Sequence, residues 1–405
     1  MTTSVAIFRA PWCTDFPADV TTWSVVNDDS GRKRRPASYL RYALLALAAF
    51  LVLSLGFALI PRESPAPAAP PFSEQARSAA LTETLELRAA SQQLANGSSG
   101  ARRQLFSHAV TLLTTQARAL LLPDGASGTA TSTADASSGS SSSGTGPSGT
   151  ATLPALVAAL SKSGKERLVH AEKADGGMAR LLAAVGTAQL LQATTLAQAA
   201  GTTPPALAAP AAPGRNAAAA CSGPPGSSAQ PGQTSAPADT VPPDTATLAA
   251  ALSRAVRTEV ETVYGYQVAL TRLKGTAAEQ AAGLLAKHEA LVGQAEAYTR
   301  GHCVSVPPRE PGYTLGTSFL QKPAAGLASL EAGTLPVYGD LVALSDGETR
   351  KWAVSSLVAA AQRTMRWGSD PGPVPGIVLD TTVLPELPEP EAPSPSQTDQ
   401  SASAP

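Results

Sequence analysis

The chain has 405 residues; its 30 Lys and Arg nearly balance its 31 Asp and Glu, for a formal net charge of −1. It therefore lacks the basic excess of a nucleic-acid binder, and three cysteines exclude both a disulfide-dense scaffold and a paired CxxC zinc site. Much of its complement of 33 glycines and 35 prolines falls in stretches that cannot hold a packed core, and no Walker loop, GxGxxG turn, HExxH helix or GxSxG elbow is present.

In chain order, residues 1–41 read as a cytoplasmic N-terminus that carries Arg32, Lys33, Arg34, Arg35 and Arg41. Tyr42–Ile60 follows without a single charge. A bilayer's hydrocarbon core takes about 20 residues of helix, so the segment is predicted to cross the membrane, with the basic flank inside and everything after it outside. The alternative is a secreted protein cleaved near Ala66-Pro67-Ala68, although a signal peptide's apolar region usually runs only about 7–15 residues. Residues 61–71 form a stiff Pro-rich stalk.

Residues 72–200 are predicted to form a first helical bundle. Leu105, Ala109, Leu112, Leu113, Gln116 and Leu120 recur at helical spacing; so do Leu153, Leu156, Val157, Leu160, Leu168 and Ala171, and again Met178, Leu181, Leu182, Val185, Gln189 and Leu196. An Ala-rich helix over about 73–95 makes the fourth. Asn96-Gly97-Ser98 and Gly176-Gly177 break the two pairs, and the Ser/Gly/Thr tract 123–150 between them has no apolar period and reads as disordered. His108 and His170 sit at stripe edges, a solvated position. Gln116 and Gln189 are the polar residues on the inner faces.

Residues 201–243 are a Pro/Ala/Gly linker. A second bundle covers 244–368, with Asp244 as its first N-cap and helices over 245–273, 276–300, 323–345 and 347–367. Lys274-Gly275 and Asp346-Gly347 make tight turns, whereas Gly301–Lys322 is long enough to cross the height of a bundle. Residues 369–405 read as a disordered, Pro-rich acidic tail.

Plotted at 100° per residue, each helix of the second bundle places one ionisable residue among its apolar ones: Glu259, His288, Glu331 and Arg363. Glu259 lies 16 residues before Gly275 and His288 13 after it; Glu331 lies 16 before Gly347 and Arg363 16 after it. At a rise of about 1.5 Å per residue, partners across each turn are level to within about 5 Å. A lone charge in a core is costly, so the four are expected to satisfy one another, with Tyr266 and Tyr338 on the same faces completing a buried polar cluster.

The run Glu259–Leu273 (EVETVYGYQVALTRL), the segment Ala286–Leu291 (AKHEAL), Glu331 with Tyr338, and the closing Trp367 resemble the actinobacterial ferritin-like domain of unknown function. The resemblance implies a ferritin-like four-helix fold with a long crossover between its second and third helices. Catalytic ferritin-like proteins hold two metals with a Glu from each of two helices and Glu-x-x-His from each of the other two. Here Glu259, Glu331 and His288 match, but Leu285 stands three residues before His288, and Arg363 replaces the ligands of the fourth helix. A di-metal site and a cofactor are therefore not expected. Arg363 is expected to lie between Glu259 and Glu331 in place of a metal; an ordinary ion-pair network, a mononuclear metal site at Glu259, His288 and Glu331, and a small-ligand pocket stay open.

Cys221 and Cys303 both fall outside the membrane in this topology and are expected to pair; two unpaired thiols are the alternative. The sequence thus predicts an all-α protein: one transmembrane helix, two extracytoplasmic four-helix bundles, and disordered linkers. The expected role is a membrane-tethered envelope protein that binds an unidentified envelope partner and is not an enzyme. The alternative is an extracytoplasmic metal-binding or ferroxidase-like ferritin relative.

Overall fold

The computed structural model describes residues 37–58, 69–121, 151–206 and 246–388. The predicted cytoplasmic segment through residue 36, most of the stalk, the tract 123–150, most of the linker with Cys221, and the tail beyond residue 388 lie outside the described residues. Every described element is helical. The chain divides into two compact units, residues 1–68 and 69–405.

The first unit contributes α1 (Ala37–Ala58). Its described side chains, from Arg41 to Val52, are exposed. Among the described residues no helix is long and apolar enough to cross a membrane. The predicted span Tyr42–Ile60 is therefore not carried by the described structure. α1 covers it only to Ala58, and the side chains beyond Val52 lie outside the description.

The second unit holds α2 (Phe72–Asn96), α3 (Gly100–Leu120), α4 (Leu153–Lys173), α5 (Gly176–Ala199), α6 (Leu248–Leu270), α7 (Gly275–Gly301), the short α8 (Thr317–Gln321), α9 (Pro323–Leu344) and α10 (Gly347–Arg366). Three starts are fixed by side-chain caps: Thr152, Asp175 and Thr247 accept bonds from the amides of Ala155, Met178 and Ala250. Thr247 thus caps α6; the predicted cap, Asp244, lies outside the described residues. The turns before α7 and α10 put Gly275 (φ +57°) and Gly347 (φ +49°) in the left-handed region, which glycine enters without a Cβ clash.

Sequential helices pack as hairpins, α2 with α3, α4 with α5, α6 with α7 and α9 with α10, while α6 also packs against α9. Two pairs approach unusually closely. A Cβ at Gly164 would lie 2.9 Å from the carbonyl oxygen of Gly186, between α4 and α5, and one at Gly265 on α6 would run into Leu330 on α9.

The two helix sets, which the sequence separates by a linker, share one core. Leu182 and Val185 on α5 belong to the same buried cluster as Leu252 on α6 and Trp352 and Leu357 on α10, and α5 packs against both α9 and α10. The connection after α7 also has structure: α8 buries Phe319 where Gly326 leaves room for its ring.

The tail prediction needs correction over residues 369–388. This strap lies along the helices: Val374 is buried, Gln116 donates to the carbonyl of Pro373 (2.8 Å), Arg180 to that of Gly376 (2.6 Å) and Arg118 to those of Leu384 (2.7 Å) and Pro385 (2.9 Å). Prolines lack the donor that a helix or sheet needs, but their carbonyls remain free to accept. A Pro-rich composition therefore did not mean disorder where donors from α3 and α5 were waiting.

Candidate functional site

Glu259 on α6, His288 on α7, Glu331 on α9 and Arg363 on α10 meet in the interior, each at most 5% exposed. His288 stands at the centre. Its Nδ1 lies 2.7 Å from Glu259 Oε2 and its Nε2 2.8 Å from Glu331 Oε1. Two carboxylates facing both ring nitrogens require a proton in each gap, and an imidazolium supplies both. Burial pulls the imidazolium pKa down. The charge and hydrogen bond of Glu259, with those of Glu331, outweigh it and push the value up to about 9.

The remaining carboxylate positions are filled in a reciprocal pattern. Tyr266, on the same helix as Glu259, donates to Glu331 Oε1 (2.6 Å); Tyr338, on the same helix as Glu331, donates to Glu259 Oε1 (2.6 Å). In each helix the Tyr follows the Glu by seven residues, two turns along one face. α6 and α9 are thus antiparallel here, with Glu259 level with Tyr338 and Tyr266 level with Glu331. Gly265 lets the two backbones approach at this level. Trp367 extends the chain by donating Nε1–H to the Tyr266 oxygen (2.7 Å).

Arg363 Nε donates to Glu331 Oε2 at 2.8 Å. Burial opposes the charge of Glu331, but the neighbouring Arg363 guanidinium and His288 hold this carboxyl below its ordinary value. Burial, reinforced by the adjacent carboxylate, raises the Tyr266 and Tyr338 pKa values, so both phenols keep their protons. Two carboxylates and two cations balance to zero, the condition under which buried charges are tolerable.

One expectation is corrected: Arg363 does not bridge the two glutamates. It binds Glu331 alone through its Nε, and His288 occupies the bridging position. The longer guanidinium leaves its Nη2 without a hydrogen-bond partner. The bond from Trp367 to Tyr266 and the reciprocal Tyr–Glu pairing were missed, although the Glu-x6-Tyr spacing in both helices was available as a signal.

The residues do not fit a di-metal group. Both nitrogens of His288 are committed to carboxylates, every carboxylate oxygen accepts a bond, and the fourth helix supplies a cation. Among the described residues no group of three or more His, Cys, Asp or Glu is arranged to hold a metal ion.

In the first helix set, Gln189 donates to Thr84 Oγ1 and Gln116 Oε1, both at 3.3 Å. Arg167 was missed there: it is fully buried, with a nitrogen 3.4 Å from Glu83 and 3.3 Å from Glu166. Its position beside Leu168, read as the inward residue, concealed it. His108 is solvated as expected at 55% exposure, but His170 packs edge-on to Phe72, where burial and Arg167 press its pKa down. Cys303 is disulfide-bonded; Cys13 and Cys221 lie outside the described residues. The neighbouring His302 bonds to Thr349 Oγ1 (2.8 Å).

Residues 251–379 match the family model described as a domain of unknown function (DUF4439). The matched stretch contains the whole cluster and runs on through the first half of the strap, to residue 379. No curated protein and no solved structure matches the chain.

Proposed function

We propose that the chain is a membrane-tethered cell-envelope protein whose DUF4439 region is a ferritin-like four-helix bundle that works without metal, as a binding or scaffold module rather than an enzyme. The observation that carries this reading is the doubly hydrogen-bonded His288. In it, an organic cation joins the two carboxylates that ferritin-like enzymes use for metal, and Arg363 neutralises the second charge. A cluster closed in this way has no open position for substrate or oxygen. It holds four helices in register and leaves the outer faces for recognition.

The tether is supported by the uncharged run Tyr42–Ile60 and the basic residues before it. It places the bundle outside the cytoplasmic membrane on a Pro-rich stalk, facing an envelope partner. Elemental analysis of the full chain, purified from membranes without added metal, tests the central point. Substoichiometric iron, manganese and copper are expected, with no ferroxidase activity on added Fe(II). Stoichiometric metal lost together with Glu259→Gln would establish the metal-binding alternative at Glu259, His288 and Glu331.

A further inference from the structure

A cleft of about 280 Å³ opens between the first helix set and the start of the strap, away from the ionised cluster. Its walls are largely apolar: Leu112 from α3, Leu191 from α5 and Met365 from α10. Of the polar residues that break them, which also include His108, Thr195 and Ser369, two bear on a ligand. Gln192, on α5, lies in the wall only 4% exposed, and its amide nitrogen has no hydrogen-bond partner. At the mouth, Asp370 of the strap keeps a 67% exposed carboxylate: its Oδ1 accepts from the Gly372 amide (2.9 Å), and its Oδ2, 3.6 Å from Nε2 of the cleft-lining His108, has no hydrogen bond.

A buried amide donor without an acceptor carries the full cost of its desolvation, and buried polar groups are paired in all but a few cases. A carbonyl oxygen reaching Gln192 would remove that cost. An ammonium group at the mouth would form a charge-assisted bond to Asp370. Between them the apolar wall asks for a compact apolar side chain, and the volume lies at the small end of ligand pockets.

We propose that this cleft is a binding site for a small amine that carries a carbonyl oxygen and one apolar side chain, the chemistry of an amino-acid amide. Such a ligand would touch α3, α5, α10 and the strap at once, fastening the strap to the helices it crosses. The proposal is independent of the metal-free reading of the cluster, and either can fail alone.

The test is ligand-observed saturation-transfer NMR on the purified full chain, with L-phenylalaninamide as the probe. 2-Phenylethylamine lacks the carbonyl, and N-acetyl-L-phenylalaninamide lacks the ammonium. L-Phenylalaninamide is expected to bind with a dissociation constant on the order of 1 mM or tighter, and each of the other two at least about tenfold more weakly, a single hydrogen bond's worth. Gln192→Leu should lower the affinity for L-phenylalaninamide to that of 2-phenylethylamine. Asp370→Asn, which keeps an Oδ1 able to accept from the Gly372 amide, should lower it to that of the acetylated probe. Absence of transfer from L-phenylalaninamide at 10 times that concentration overturns the proposal. So does binding that Asp370→Asn leaves unchanged.

Discussion

In the first helix set, Gln189 reaches Thr84 and Gln116 at 3.3 Å through neutral groups; in the second, Glu259, His288 and Glu331 are joined at 2.7 and 2.8 Å and carry charge. Both networks lie at the centre of two packed hairpins, with essentially no exposure. They differ in how far each member depends on the others. An amide deprived of its partner forfeits a bond of modest net value. A carboxylate deprived of its counter-ion is left as an uncompensated charge in a medium that cannot solvate it. The second core should therefore be the brittle one.

The largest effect is expected from His288→Leu, which leaves two buried carboxylates facing each other. A loss of about 3–5 kcal/mol is expected in urea unfolding at pH 7, with part of it recovered near pH 4 as one carboxylate takes up a proton. Arg363→Met should follow at about 3 kcal/mol, because Glu331 retains His288 and Tyr266. A cost below about 1 kcal/mol for either variant would remove the distinction between the two cores.

The pH dependence sharpens the same contrast. The pKa of His288 is raised from 6.5 to about 9 in the folded state. Its contribution, of order 3 kcal/mol by linkage, is therefore complete below pH 6.5 and lost as pH rises through about 9. The Glu331 pKa is lowered from 4.5, so its contribution is complete above that value and lost on acidification. Unfolding free energy measured from pH 3 to 10 should be greatest between about 4.5 and 6.5. The alkaline limb should vanish in His288→Leu, and a wild-type stability flat from pH 6 to 10 would contradict an imidazolium at the centre.

Smaller effects test the reciprocal pairing. Tyr266→Phe and Tyr338→Phe should each cost about 1.5–3 kcal/mol, as losses of hydrogen bonds to charged groups. Tyr266→Phe should also quench or shift Trp367 fluorescence, because it removes the indole's acceptor; Tyr338→Phe should leave that signal alone. The smallest expected change is in the first core: Gln189→Leu should alter stability by no more than about 1 kcal/mol in either direction, measured by the same urea titration.

Much of this architecture was legible from residue spacing. Apolar stripes and glycine turns located α2 to α7, α9 and α10, because an amphipathic helix writes its buried face into its sequence at a period of 3.6. The same period placed Glu259, His288, Glu331 and Arg363 inward and level. It did not say which of the two cations stands between the carboxylates. That depends on side-chain length and on how closely the backbones approach, and Gly265 against Leu330 is a property of two helices together. Arg167 stayed hidden for a similar reason, since it and Leu168 are adjacent in sequence and packing alone decides which turns inward.

The sequence by itself determined the helical order, the turns and the inward set of ionisable groups, since all three follow from local periodicity and from the cost of an unpaired charge. Only the tertiary structure decided that the two helix sets share a core, that the Pro-rich strap 369–388 lies against α3 and α5, and that His288 holds the centre of the cluster. These depend on contacts between residues far apart in the chain, where donors such as Arg118 and Arg180 meet carbonyls that no local pattern connects to them.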